Sequence, residues 1–366
     1  MRAMHPRFVL VALAVALAST ARAAVVTMTD CVGDPHIVVQ PGTQSTRIEI
    51  DPDDLVLHCA LTPLPGSDHI VISAHDVTIE PPGSMSQDDN TKLQVTASGA
   101  ILVKGTFVDA VNPNARLELD AVCDMTFENA SLTVGGDSSG GDLLILNCTG
   151  TTPKCLITAT DSTFKSRHMK IEGQGDVTFT RTKLITNSPN DYIEIRSDMA
   201  NVLLGTSTGG GGPGLDCCGF GGGGDGNDVV TGKEGNLYIL AFGRIDLSGA
   251  NVLVSEFICG RSGVPDPANT NILNACSMAD APCTGGAAAP IPAGIDLTDA
   301  SIRNDIGKPG DISFCADESR GTIGIGGATL IDDNTSAVED YSDLNGCSAP
   351  PRSGCPNVSG TAATDG

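Results

Sequence analysis

The strongest constraint on how this chain folds is a short phrase that keeps returning: LQVTA at Leu93, LELDA at Leu117, LLILN at Leu143, MKIEG at Met169 and IEIRS at Ile193. The first residues of these phrases lie 24, 26, 26 and 24 apart. In each, the first and third residues are apolar, the alternation that a strand with one buried face requires. A second phrase follows 8 or 9 residues later, as ILVKG at Ile101, MTFEN at Met125, VTFTR at Val177 and VLLGT at Val202. A third and weaker one ends at Val134 in ASLTV and at Thr186 in TKLIT, with no helical pattern between the strands. Several short strands repeated at a fixed period mark a β-solenoid. No strand of this length buries its apolar face alone, and stacking unit on unit buries it for all of them.

Stacked at this period, Leu93, Leu117, Leu143 and Met169 are expected to form one buried ladder. The outward positions then carry Gln94, Thr96, Glu118, Asp120, Lys170, Glu172, Glu194 and Arg196. Over roughly 30 to 333 this pattern resembles the right-handed parallel β-helix proteins of the pectin-lyase-like superfamily. The resemblance implies an all-β chain, a right-handed parallel β-helix with rungs of about 24 residues over 24–335. Rung length and pattern specify architecture well and function poorly.

Ahead of the rungs, residues 1–23 carry Arg2 and Arg7, the apolar run FVLVALAVALA and the small-residue site Ala21-Arg22-Ala23. This is the plan of a secretory signal peptide cleaved before Ala24. Its apolar core is far shorter than the roughly 20 residues of a membrane span. The chain is therefore expected outside the cytoplasm, secreted to an extracellular or periplasmic space, as a monomer that does not span the membrane. With 44 Asp and Glu against 21 Lys and Arg its net charge is −23, which argues against nucleic acid, whose phosphates need clustered cations.

All 13 cysteines follow the leader, and an oxidising compartment favours their pairing. Cys148 and Cys155 enclose six residues, as do Cys276 and Cys283, and these pairs, with Cys347 and Cys355 in the tail over 336–366, are expected as local disulfides. The odd count leaves at least one thiol free or bonded to another molecule. Four of the six histidines, His36, His58, His69 and His75, fall near the start of the chain, as a metal set if they converge and as solvated side chains if not. Two stretches interrupt the rungs, a glycine-rich one over 205–235 and an Ala, Pro and Cys-bearing one over 260–294. Inside the first, GGDGNDVVT from Gly223 resembles the calcium-binding nonapeptide of RTX proteins. That likeness implies Asp225 and Asp228 as ligands of a weak Ca2+ site, in a single copy.

Nothing in the rungs assembles a recognised polysaccharide lyase or hydrolase set: Gly-His-Gly, Arg-Ile-Lys, Trp-Ile-Asp-His and Arg-x-Pro-x-x-Arg are all missing. The chain has no Trp and only three Tyr for stacking on sugar rings. The expected function is a secreted, non-catalytic β-helix scaffold, a surface, structural or adhesive module for a polysaccharide or another cell-surface component, with its long loops as the working part. The alternative is a polysaccharide lyase or glycoside hydrolase with a diverged site, built from Asp120, Asp124, Lys170, Glu172, Glu194 and Arg196.

Overall fold

The computed structural model describes residues 24–40, 45–65, 67, 69–86, 92–109, 115–135, 143–151, 155–186, 191–205, 229–231, 235–254, 258–264, 267, 294–304, 312–316, 323–326, 329–331 and 358–359. They fold as an all-β parallel solenoid with rungs about 24 residues apart, each returning phrase pairing with its successor as in Leu93↔Leu117. Three faces run along the stack. Face A is a 12-stranded sheet, face B an 11-stranded one, and face C is made of a 6-stranded and a 4-stranded sheet. Pairing is parallel throughout these faces except at the start of face B, where Ile37–Gln40 folds back antiparallel on Ser45–Glu49. Among the described residues no helix is long and apolar enough to cross a membrane.

Parallel pairing at this period places like on like. On face B the inward ladder reads Ile70, Leu93, Leu117, Leu144, Met169, Ile193 and Leu237, all buried. The expected ladder is thus corrected by one residue, because Leu117 opposes Leu144 and Leu143 opposes Arg116 on the outer side. The run Leu143 to Leu146 is apolar at every position and holds no period of two. The inward set is fixed instead by Leu144, Leu146 and Cys148, where the last is in line with Ala121 and bonded to Cys155.

Where faces meet, size is matched against size. On face A, Phe127, Ala159 and Phe179 are in register, and Phe164 of face C reaches between the two rings in edge-on contacts of 5.1 and 5.9 Å. The small side chain at Ala159 makes room for that ring. Gly260 serves the same end further on, because a Cβ there would come within 2.6 Å of the Phe314 ring in the next rung.

The turns from face B to face A use a repeated carboxylate. Asp54 Oδ1 accepts from the Asp76 amide, Asp76 Oδ1 from Ala100, Asp124 Oδ1 from Leu156, and Asp176 Oδ1 from Asn201. All sit where the face A strand begins, and each satisfies a backbone donor of the neighbouring rung. Four of the turns leaving face A hold a left-handed non-glycine residue, at Asn129, Asp161, Arg181 and Asp299, with φ between 48° and 57°. Short polar side chains suit that conformation. Arg181 does not, and it is tied to Asp161 of the preceding rung by a two-point ion pair.

Cys148–Cys155 closes a loop of sequence separation 7, and Cys31–Cys59, which spacing alone does not suggest, joins the first rungs across 28 residues. Cys259 is also disulfide-bonded, and Cys123 is an exposed free thiol. Cys276, Cys283, Cys347 and Cys355 lie outside the described residues as well. Part of the expected tail joins the stack, since Val358–Ser359 pairs in parallel with Ile323–Gly324 of face A.

Candidate functional site

The outer side of face B is where the candidate residues meet. Three columns run across its rungs in register. One holds Lys92, Arg116, Leu143, His168, Tyr192 and Asn236, the next Gln94, Glu118, Ile145, Lys170, Glu194 and Tyr238, and the third Thr96, Asp120, Asn147, Glu172, Arg196 and Leu240. Five of the six expected site residues, Asp120, Lys170, Glu172, Glu194 and Arg196, therefore share one surface. Asp124 does not, because it caps the following turn by accepting from the Leu156 amide at 3.0 Å.

The charges on this surface are paired within and across rungs. Lys92 Nζ is 2.6 Å from Glu118, and Arg116 is 3.3 Å from the same carboxylate oxygen. Lys170 lies 2.9 Å from Glu172. Arg196 bridges Glu172 at 3.4 Å and Glu194 at 2.6 Å. Glu194 and Arg196 are only 7% and 8% exposed, so this pair is held in a medium where charges interact strongly. Outward parity would ordinarily leave them solvated.

Burial also moves the titrating groups. The Asp120 carboxyl is held above the usual range chiefly by desolvation and also by the charge of Glu118, against the hydrogen bond from Asn147 Nδ2 at 3.1 Å, which lowers it. Desolvation, with Arg167 nearby, pushes His168 down toward the neutral imidazole. Its ring stacks on Tyr192 with centroids 4.6 Å apart, and Tyr192 is pushed up by burial and by Glu194. Further along, Tyr238, Leu240 and Cys259 form a second apolar cluster on the outer side, with Tyr192 and Val264 packed against it. Face B is buried on both sides there.

No protein-family model, no curated protein and no solved structure matches this chain. Its own residues are thus the ground for any functional reading.

Sequence reasoning placed Glu118 outward without counting it as a site residue, and it missed His168, Tyr192 and Asn147. The signal was present one residue before each returning phrase: His168 precedes Met169 and Tyr192 precedes Ile193, at the same outward parity as the charged positions that follow. The expected calcium ligands Asp225 and Asp228 lie outside the described residues. The early histidines have separate partners. His36 Nδ1 is 2.8 Å from Asp34, and His75 Nδ1 is 2.9 Å from Asp54. His69 stands in register between Ser45 and Lys92.

Proposed function

We propose that this chain is a secreted, non-catalytic β-helix of the pectin-lyase-like kind, a surface or structural binding module for a polysaccharide or another cell-surface component. It presents the outer side of face B together with its long insertions. One observation carries the reading: the carboxylates Glu118, Glu172 and Glu194 are already engaged by Lys92, Arg116, Lys170 and Arg196. A general acid or base must exchange a proton with its substrate. A fixed array of paired charges beside the His168–Tyr192 stack suits recognition instead, because little side-chain freedom remains to be lost on binding.

The leader-like segment over 1–23 and the disulfides support export, since disulfides persist in oxidising compartments. The insertion over 205–235 is a second contact region in this reading. Its Asp225 and Asp228 would bind Ca2+ weakly, with Kd of about 0.1 to 1 mM.

A second reading, an inverting glycoside hydrolase, has one observation in its favour. Asp120 and Glu172 share an outward column with only Asn147 between them, which puts their strands two spacings, about 9.4–9.8 Å, apart, so their carboxyl groups enter the inverting range when the side chains lean toward each other. Inverting enzymes hold their two carboxyl groups about 6.5–9.5 Å apart, one of them protonated. Asp120, raised by burial, would be the acid and Glu172 the base.

Incubation with acidic and neutral polysaccharides distinguishes the two. The binding reading expects retention on an immobilised polysaccharide or cell-surface fraction, weakened by Tyr192→Ala, with no unsaturated products and no new reducing ends. Turnover that Asp120→Asn or Glu172→Gln abolishes would replace it with the enzyme.

A further inference from the structure

We infer that Asp54, His75 and Asp76 form a binding site for a divalent transition-metal ion of the zinc class, clamping the first rungs of the solenoid together. Among the described residues this is the one group of three His, Cys, Asp or Glu side chains whose donor atoms all lie within 4.8 Å of one another. His75 Nδ1 is 2.9 Å from Asp54 Oδ1 and 3.6 Å from Asp76 Oδ1. Zinc bonds to nitrogen and oxygen are about 2.0–2.1 Å, so two ligands of a tetrahedral ion sit about 3.3–3.4 Å apart. The two separations from His75 bracket that value, and the two carboxylate oxygens lie within 4.8 Å of each other, so the three donors can close on one centre by side-chain rotation. An imidazole and two carboxylates leave the fourth position to water.

Backbone hydrogen bonds hold the ligands in place. The Ala100 amide donates to Asp76 Oδ1 at 2.7 Å, and the Asp76 amide donates to Asp54 Oδ1 at 3.3 Å. The His75 amide donates to the Asp53 carbonyl at 2.8 Å. Gly99 in the next rung leaves the room the site needs, because a Cβ there would come within 2.0 Å of Asp76 Oδ1 and 2.9 Å of the His75 carbonyl. Contacts of this kind fix a ligand's orientation while leaving its remaining lone pairs for the ion. The equivalent turns at Asp124 and Asp176 carry the same backbone cap, but Cys123 and Gly175 stand where His75 does. The histidine is what sets this turn apart.

The donor set selects the ion. Calcium takes about six to eight oxygen ligands, whereas one imidazole with two carboxylates suits zinc, cobalt or nickel. His75 is exposed and Asp54 and Asp76 partly so, which leaves an open path for the ion. On binding, the metal replaces the proton that His75 Nδ1 shares with Asp54 and releases it to solvent. Since Asp54 belongs to one turn and His75 and Asp76 to the next, the ion joins two successive rungs.

The test uses the full mature chain with its disulfides intact, stripped of metal by chelation and then titrated with Co2+ and Zn2+ by absorption and calorimetry. Saturable binding is expected, with tetrahedral Co2+ bands, and His75→Ala and Asp76→Asn should each weaken it at least tenfold without changing the far-UV spectrum. Asp124→Asn alters the corresponding turn two rungs on and should bind as the wild type does. Binding unchanged within twofold in His75→Ala and Asp76→Asn overturns the site, as does absence of saturation in the wild type up to about 1 mM. Equal loss in Asp124→Asn also overturns it, since the titration would then be reading the stack's integrity.

Discussion

Faces A and B are built from the same rungs and bury the same kinds of ladder, yet their outer sides differ. Outside face A, Thr78, Leu102, Thr126, Thr158, Thr178 and Leu203 follow one another in register. Over its earlier rungs the ion pairs are loose, with Lys104 3.5 Å from Glu80 and 3.4 Å from Glu128 and all three side chains 35% to 49% exposed; only further along does Arg244 pair closely, with the buried Asp246 at 2.7 Å and Asp296 at 2.9 Å. Outside face B, Arg196 and Glu194 pair at 2.6 Å with each side chain 9% exposed, and two rings stack beside them. The period dictates what points inward. It places no demand on what points outward, so an outer side that is buried, paired and aromatic needs another reason, and recognition supplies one.

The first way to sharpen the comparison is to disturb what both faces share. Phe164 touches Phe127 and Phe179 in the common interior, so Phe164→Ala should cost about 3–5 kcal/mol of unfolding free energy in a urea titration. A loss below about 1 kcal/mol would mean that the interior is not packed as described.

The next effect separates the faces. Arg196→Ala strips the cation from Glu194 and Glu172 in a buried setting and should cost about 3 kcal/mol. Lys104→Ala on face A should leave the denaturant midpoint unchanged, because its partners are solvated. Equal losses would break the comparison.

The smallest effect is a difference in pH dependence. Asp120 is raised mainly by burial, so folding favours its protonated form. The stability it contributes is full below the carboxyl's ordinary value of 3.8 and is lost as pH rises through the folded value. Asp120→Asn should recover that loss at neutral pH, by under about 1 kcal/mol after solvent screening. Asp161, on the turn that leaves face A, has the opposite sign. Arg181 lowers it, so its contribution is present above 3.8 and is lost as pH falls through the folded value. Urea midpoints collected between about pH 3 and 7 for Asp120→Asn and Asp161→Asn should shift in opposite senses.

How much of this was legible in the sequence follows from what each residue is required to do. The returning phrases place the rungs, and the alternation at Leu117, Leu119 and Ala121 gives the inward parity directly. Register slipped at Leu143, where four apolar residues in a row remove the alternation and only pairing across rungs decides. Outward parity was also readable, which brought Asp120, Lys170, Glu172, Glu194 and Arg196 to one surface in advance. That Glu194 and Arg196 are buried was not, because burial on the outer side depends on what folds over the sheet and leaves no mark on the period. The cluster at Asp54, His75 and Asp76 was half visible. His75 was among the early histidines, but its partners are carboxylates of a neighbouring turn and not the other histidines.

The central claim is that the outer side of face B around Arg196 is a preorganised buried network while that of face A around Lys104 is an ordinary solvated surface. A pair of double-mutant cycles tests it most directly, one on Glu194 and Arg196 and the other on Glu128 and Lys104, each read as unfolding free energy by urea titration. The account predicts a coupling of about 2–3 kcal/mol for Glu194 with Arg196 and none distinguishable from zero for Glu128 with Lys104. Equal couplings in the two cycles, or none in either, would contradict it.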